Sequence, residues 1–91
     1  MAIEIIATGH YVPEKRVTND ELSRIIDTND EWIRSHTGIG ARHVAADDQA
    51  TSDLAYNAAV EALRQLSPEN PLEAAETLDL IVVCTSSPDF V

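Results

Sequence analysis

The run Leu80-Ile81-Val82-Val83-Cys84 carries no polar side chain and shows no alternation. A strand with one wet face alternates apolar and polar residues, whereas one covered on both faces reads as continuous aliphatic residues, as in a parallel sheet flanked by helices. Residues 78–85 are therefore expected to form a strand of the second kind. Another is expected over residues 3–8, where Ile3, Ile5 and Ile6 precede the stop signals Gly9 and Pro13. Between them, Leu54, Ala58, Ala62 and Leu66 recur at every fourth position, with Ala55, Ala59 and Leu63 in the adjoining row. That spacing predicts an amphipathic helix over residues 52–66 whose small apolar face lets a sheet approach closely. Thr51 or Ser52 is its expected cap and Ser67-Pro68 its end. Strand, helix and strand in this order imply a right-handed β-α-β crossover in a parallel or mixed sheet, an α/β architecture.

The tetrapeptide Thr-Asn-Asp-Glu occurs at 18–21 and again at 28–31. Each copy has the form of a capping box, in which Thr accepts from the N3 amide and Glu reaches back to the cap amide. Two short helices are expected. Val17 and Leu22 suit a hydrophobic staple on the first, with Leu22, Ile25 and Ile26 as its buried stripe; the second carries Trp32 and Ile33 and stops at Gly38. Residues 39–45 are expected as a short strand around Arg42 and His43, and residues 72–76 as one more helical turn. A strand buried on both faces needs neighbours on both edges, and 91 residues supply too few of them, so the fold is expected to be incomplete within this chain.

Six basic residues face sixteen acidic ones, a formal charge of −10. Nucleic acid and anionic membrane surfaces are therefore not expected as partners. A single cysteine cannot form an intramolecular disulfide, and with three scattered histidines it does not reproduce zinc-site spacing, so no metal is expected and a cytoplasmic setting fits. The apolar run is far too short to span a bilayer, and Met1-Ala2-Ile3-Glu4 lacks the basic start of a signal peptide. Cys84 follows aliphatic residues, where burial suppresses the thiolate, and it reads as a core residue rather than a nucleophile. His10 and His43 read as structural or surface residues, and Gly38-Ile39-Gly40 as a turn. Trp32, flanked by Asp30, Glu31 and Arg34, is either a lid on the local core or a stacking surface for a planar ligand.

Several blocks carry a resemblance. They are residues 6–14 (Ile-Ala-Thr-Gly-His-Tyr-Val-Pro-Glu), Thr18-Asn19, Asp27-Thr28-Asn29-Asp30-Glu31-Trp32-Ile33, Thr37-Gly38-Ile39, Arg42-His43, and residues 81–89 (Ile-Val-Val-Cys-Thr-Ser-Ser-Pro-Asp). In this order they resemble the β-ketoacyl-(acyl-carrier-protein) synthase III family, condensing enzymes of the thiolase-like fold, and specifically the amino-terminal part. The resemblance implies an acyltransferase that condenses an acyl-coenzyme A starter with malonyl-acyl-carrier protein to begin fatty-acid synthesis, through an acylated cysteine helped by a histidine and an asparagine. Those three are expected beyond Val91, leaving no catalytic residue in this segment, and Cys84 falls on the strand before the nucleophile.

By the same resemblance Trp32 matches a tryptophan that stacks on the adenine of coenzyme A, and Thr28 a polar contact to that base. Position 36, often an arginine that holds the nucleotide phosphates, is His36 here. Imidazole makes a weaker, pH-dependent phosphate contact than a guanidinium fork. Residues 87–91 resemble the start of a loop along a dimer interface. The implied partners are acyl-coenzyme A as substrate, malonyl-acyl-carrier protein, the remainder of the same enzyme and a second copy in a homodimer, with no cofactor. Two other readings stay open: a relative serving quinolone or polyketide assembly, for which His36 speaks, and a stand-alone, non-catalytic α/β interaction module.

Overall fold

The computed structural model describes residues 2–90; Met1 of the amino-terminal sequence and Val91 of the 87–91 stretch lie outside the described residues. In chain order the elements are β1 (Lys15–Thr18), α1 (Asn19–Ser23), α2 (Asp30–Thr37), β2 (Ala41–Val44), α3 (Thr51–Leu66) and α4 (Pro71–Ala75). They fall into two units, residues 12–48 and the stretches on either side of them.

In the first unit β1 and β2 pair antiparallel, Lys15 opposite Val44 and Thr18 opposite Ala41. The strand expected around Arg42 and His43 is thus present as β2. Its partner β1 has no strand signature of its own, because Lys15-Arg16-Val17-Thr18 holds a single strong apolar residue, and only pairing reveals it. Thr18 ends β1 and caps α1: its hydroxyl accepts from the Glu21 N–H at 3.2 Å and donates to the Glu21 carboxylate at 3.3 Å. Glu21 therefore bonds the cap hydroxyl rather than the cap amide. α1 stops at Ser23, so Ile25 and Ile26 lie beyond it, 77% and 53% exposed, and the expected buried stripe does not form.

The second box caps one residue later than expected. The cap is Asn29, extended at φ −151°, and its Oδ1 accepts from the Trp32 N–H at 2.8 Å. Asn is as good a cap as Thr, and the shift puts Asp30 and Glu31 in the first turn, where the helix dipole favours acids. At the other end the Thr37 hydroxyl donates to the Ile33 carbonyl and accepts from the Ile39 N–H, while Gly38 takes φ 74° and donates to the Arg34 carbonyl. That left-handed turn is the conformational reason for glycine in Thr37-Gly38-Ile39.

Pro13, Val17 and Ile33 are buried in this unit, and so is Asn19, 1% exposed. Its amide nitrogen donates to Asp30 Oδ1 and to the Ile39 carbonyl, both at 2.8 Å, and its Oδ1 accepts from Arg42 at 2.5 Å. Its backbone N–H reaches the Gly40 carbonyl at 3.1 Å. Arg42 also donates to the Val17 carbonyl.

In the second unit α3 matches the predicted helix within a residue, and α4 supplies the expected extra turn. Neither Thr51 nor Ser52 caps α3. The cap is Ala50, whose N–H bonds Asp53 from inside the helix, and the Ser52 N–H is taken by Asp89 at 3.0 Å. Gly9 lies against the small-residue face, where a Cβ would stand 2.5 Å from the Ala58 carbonyl oxygen and 2.5 Å from the Ala62 nitrogen. The close approach that the alanines permit is made here by the chain around Gly9, not by a sheet.

Residues 3–8 and 78–85 are not strands, and the parallel β-α-β crossover is absent; the described sheet is the two-stranded β1–β2 pair. A strand exists only with a partner strand for its backbone groups, and no described strand pairs with these segments. Their apolar side chains are uncovered accordingly, Ile81 71% and Val82 72% exposed. Cys84 is exposed too, so it is not the core residue expected.

Replacing Asn19 by Ala takes one partner at once from Asp30, Arg42 and the Ile39 carbonyl, at a cost of about 2–4 kcal/mol. Thermal or urea unfolding should show a clearly lowered midpoint for Asn19→Ala, and an unchanged midpoint would contradict the hub role of this amide.

Candidate functional site

α2 builds the site. Its cap residue Asn29 fixes the backbone of Trp32, and Ile33 turns inward at 7% exposure. Neighbours on a helix differ by about 100°. Trp32 therefore faces outward, with 54% of its surface exposed. Ile33, not Trp32, is the side chain that this turn buries among the described residues. Asp27, Thr28, Asn29 and Trp32 line a shallow pocket of about 190 Å³. Thr28, released from capping, joins Trp32 there.

One turn on, His36 lies over the indole: the ring centroids are 4.2 Å apart and the planes 20° from parallel. His36 Nδ1 is 2.8 Å from the Trp32 carbonyl oxygen. That oxygen can only accept, so Nδ1 carries the hydrogen and Nε2 is the outward nitrogen. The Ser35 hydroxyl donates to the same carbonyl at 3.0 Å and sits 3.2 Å from Nδ1. The structure thus groups two expected site residues at one pocket and sets the third against the indole.

Asp30 supports this arrangement from beneath. Its Oδ1 receives Arg34 Nε and Asn19 Nδ2, each at 2.8 Å. Hydrogen bonding from Arg34, then from Asn19, holds its carboxyl below the ordinary value of 3.8. Asn19 and Asp30 were not singled out as supports, because both lie within the capping boxes and their partners at 30, 39 and 42 form no local pattern. Elsewhere, His43 Nδ1 donates to the Pro13 carbonyl at 2.6 Å, and His10 lies 3.8 Å from Glu61 on an exposed surface. Both fit structural or surface roles.

In the other unit Ala55, Tyr56 and Ala59 of α3, with Ile81 and Val83, line an apolar hollow of about 480 Å³. Asp89 stands at its rim, its carboxyl held below the usual range chiefly by hydrogen bonds from Ser52. Among the described residues no group of three or more His, Cys, Asp or Glu could hold a metal ion. Nor is any described helix long and apolar enough to cross a membrane.

The fold is that of part of a thiolase-like condensing enzyme. A solved β-ketoacyl-[acyl-carrier-protein] synthase III from Thermus thermophilus superposes with a TM-score of 0.77 at 44% identity, over 93% of this chain and 25% of its own. The resemblance drawn from the motifs is borne out: curated relatives named β-ketoacyl-[acyl-carrier-protein] synthase III are 53% identical in Xanthomonas campestris pv. campestris strain 8004 and 54% in Xylella fastidiosa strain 9a5c, each over 96% of this chain. The chain spans about a quarter of the length of these relatives. No family model matches it.

Because the folded Asp30 carboxyl titrates below its unfolded value, its contribution is present above about pH 4 and is lost as pH falls through the depressed folded value. As pH falls from about 5 through that depressed value, the wild type should lose more stability than Asp30→Asn. Acid-unfolding curves of the same steepness for both would contradict that.

Proposed function

We propose that this chain supplies the coenzyme A-binding lip of a β-ketoacyl-(acyl-carrier-protein) synthase III, a cytoplasmic homodimeric acyltransferase that condenses an acyl-coenzyme A with malonyl-acyl-carrier protein in fatty-acid synthesis. The observation that carries the reading is the outward indole of Trp32, set beside Thr28 at a pocket on a helix start. Stacking on an aromatic face is worth about 1–3 kcal/mol per base, enough for Trp32 to be a main anchor for adenine. Thr28 offers the base a hydroxyl, and His36 Nε2, when protonated, a donor to the phosphates. Coenzyme A enters as substrate, so the chain itself needs no cofactor.

Acylating a cysteine and then condensing splits one hard carbon–carbon bond formation into two easier steps. The thioester must be held in line with the nucleophile for both, and binding energy from the distant nucleotide end does that work. This segment contributes the handle and no nucleophile; cysteine, histidine and asparagine are assigned to the rest of the enzyme, as is the cover for the bare apolar residues 80–83. The charge of −10 is compatible with this division, since the basic surface that docks an acidic carrier would lie there too.

His36, standing where family members often have arginine, favours a second reading: an enzyme of the same mechanism with a specialised starter. Competition among acetyl, longer acyl and aromatic coenzyme A thioesters separates the two. For the handle itself, Trp32→Ala in the enzyme carrying this segment should raise KM for acyl-coenzyme A about tenfold or more with a smaller fall in kcat. An unchanged KM would remove Trp32 from the site.

A further inference from the structure

We propose that His36 is a positioning residue, whose imidazole backs one face of Trp32 and presets the indole as a ledge with a single open face. The inference rests on the coenzyme A reading and adds to it how the ledge is held.

An exposed indole turns freely about two side-chain torsions, and ordering it on binding costs affinity. Three features restrain this one before any ligand arrives. The imidazole sits four residues on, the spacing that places side chains over one another on a helix. Its ring is near-parallel to the indole at 4.2 Å. The imidazole is itself fixed, Nδ1 donating to the Trp32 carbonyl at 2.8 Å, so the stack is tied to the helix backbone and not merely to another mobile side chain.

The consequence is asymmetric. With His36 on one side, a planar base is admitted to the other side alone. Because Nδ1 is spent on the backbone carbonyl, His36 has one nitrogen left and cannot make the two-pronged phosphate contact of a guanidinium. Its main contribution therefore passes through the indole.

The test uses the enzyme that carries this segment. His36→Ala should raise KM for acyl-coenzyme A roughly three- to tenfold at nearly constant kcat, the size of one aromatic pair. His36→Phe, which keeps a ring but no nitrogen, should recover most of that loss, with a KM closer to wild type than to His36→Ala. A phenylalanine variant as weak as the alanine variant, or an alanine variant with unchanged KM, overturns the proposal. An independent readout is the near-ultraviolet circular dichroism of Trp32, taken as wild type minus Trp32→Phe. That band should shrink in His36→Ala and persist in His36→Phe, and a band untouched by His36→Ala overturns the positioning role whatever the kinetics. If the band shrinks while Trp32→Ala leaves KM unchanged, the coenzyme A reading fails and the positioning of the indole stands.

Discussion

The amide of Asn19 ties four pieces of chain together with almost no contact with water. It holds the start of α2 through Asp30, the turn after α2 through Ile39, and β2 through Arg42, from its own place at the start of α1. A buried amide left unpaired is costly, so the arrangement that satisfies this one is strongly preferred over near alternatives. Two apolar residues, Val17 and Ile33, would not by themselves fix the rotation of a helix as short as α2. With Asn19 bonded to Asp30, and Asp30 to Arg34, Ile33 must face in and Trp32 must face out. The outward indole is thus a consequence of a polar knot centred on a residue in another helix, far from it in sequence.

How much of this was readable from residues alone follows from where each determinant lies. α3 was readable because its apolar positions recur along a single element, and Gly38 because only glycine ends a helix comfortably at positive φ. The second cap was placed one residue early, at Thr28, since Thr-Asn offers two competent caps in succession and their energies differ little. Residues 3–8 and 78–85 were read correctly as apolar and β-branched, yet composition states only what a segment buries when partners exist. Among the described residues neither segment has a partner strand, and Ile3 is 97% exposed. Cys84 followed the same error.

The site divides in the same way. Thr28, Trp32 and His36 were identified through the family resemblance, and no physical pattern in the sequence distinguished a ledge from a lid. What the structure adds is the direction of Ile33, which leaves Trp32 exposed among the described residues. The stacking of His36 on Trp32 agrees with helical spacing, four residues apart, whereas the resemblance implies a phosphate contact at position 36. Asn19 and Arg42 belong to the quoted family blocks, and their bonds give those blocks a structural explanation: much of what makes the chain recognisable holds α2 in place, and less of it faces a ligand.

A crystal structure of the enzyme carrying this segment, grown with coenzyme A, measures the outcome most directly. The adenine should lie flat on the indole face turned away from His36, with Thr28 within hydrogen-bond distance of the base. An adenine held elsewhere while the open face of Trp32 stays bare is incompatible with a nucleotide ledge built on α2.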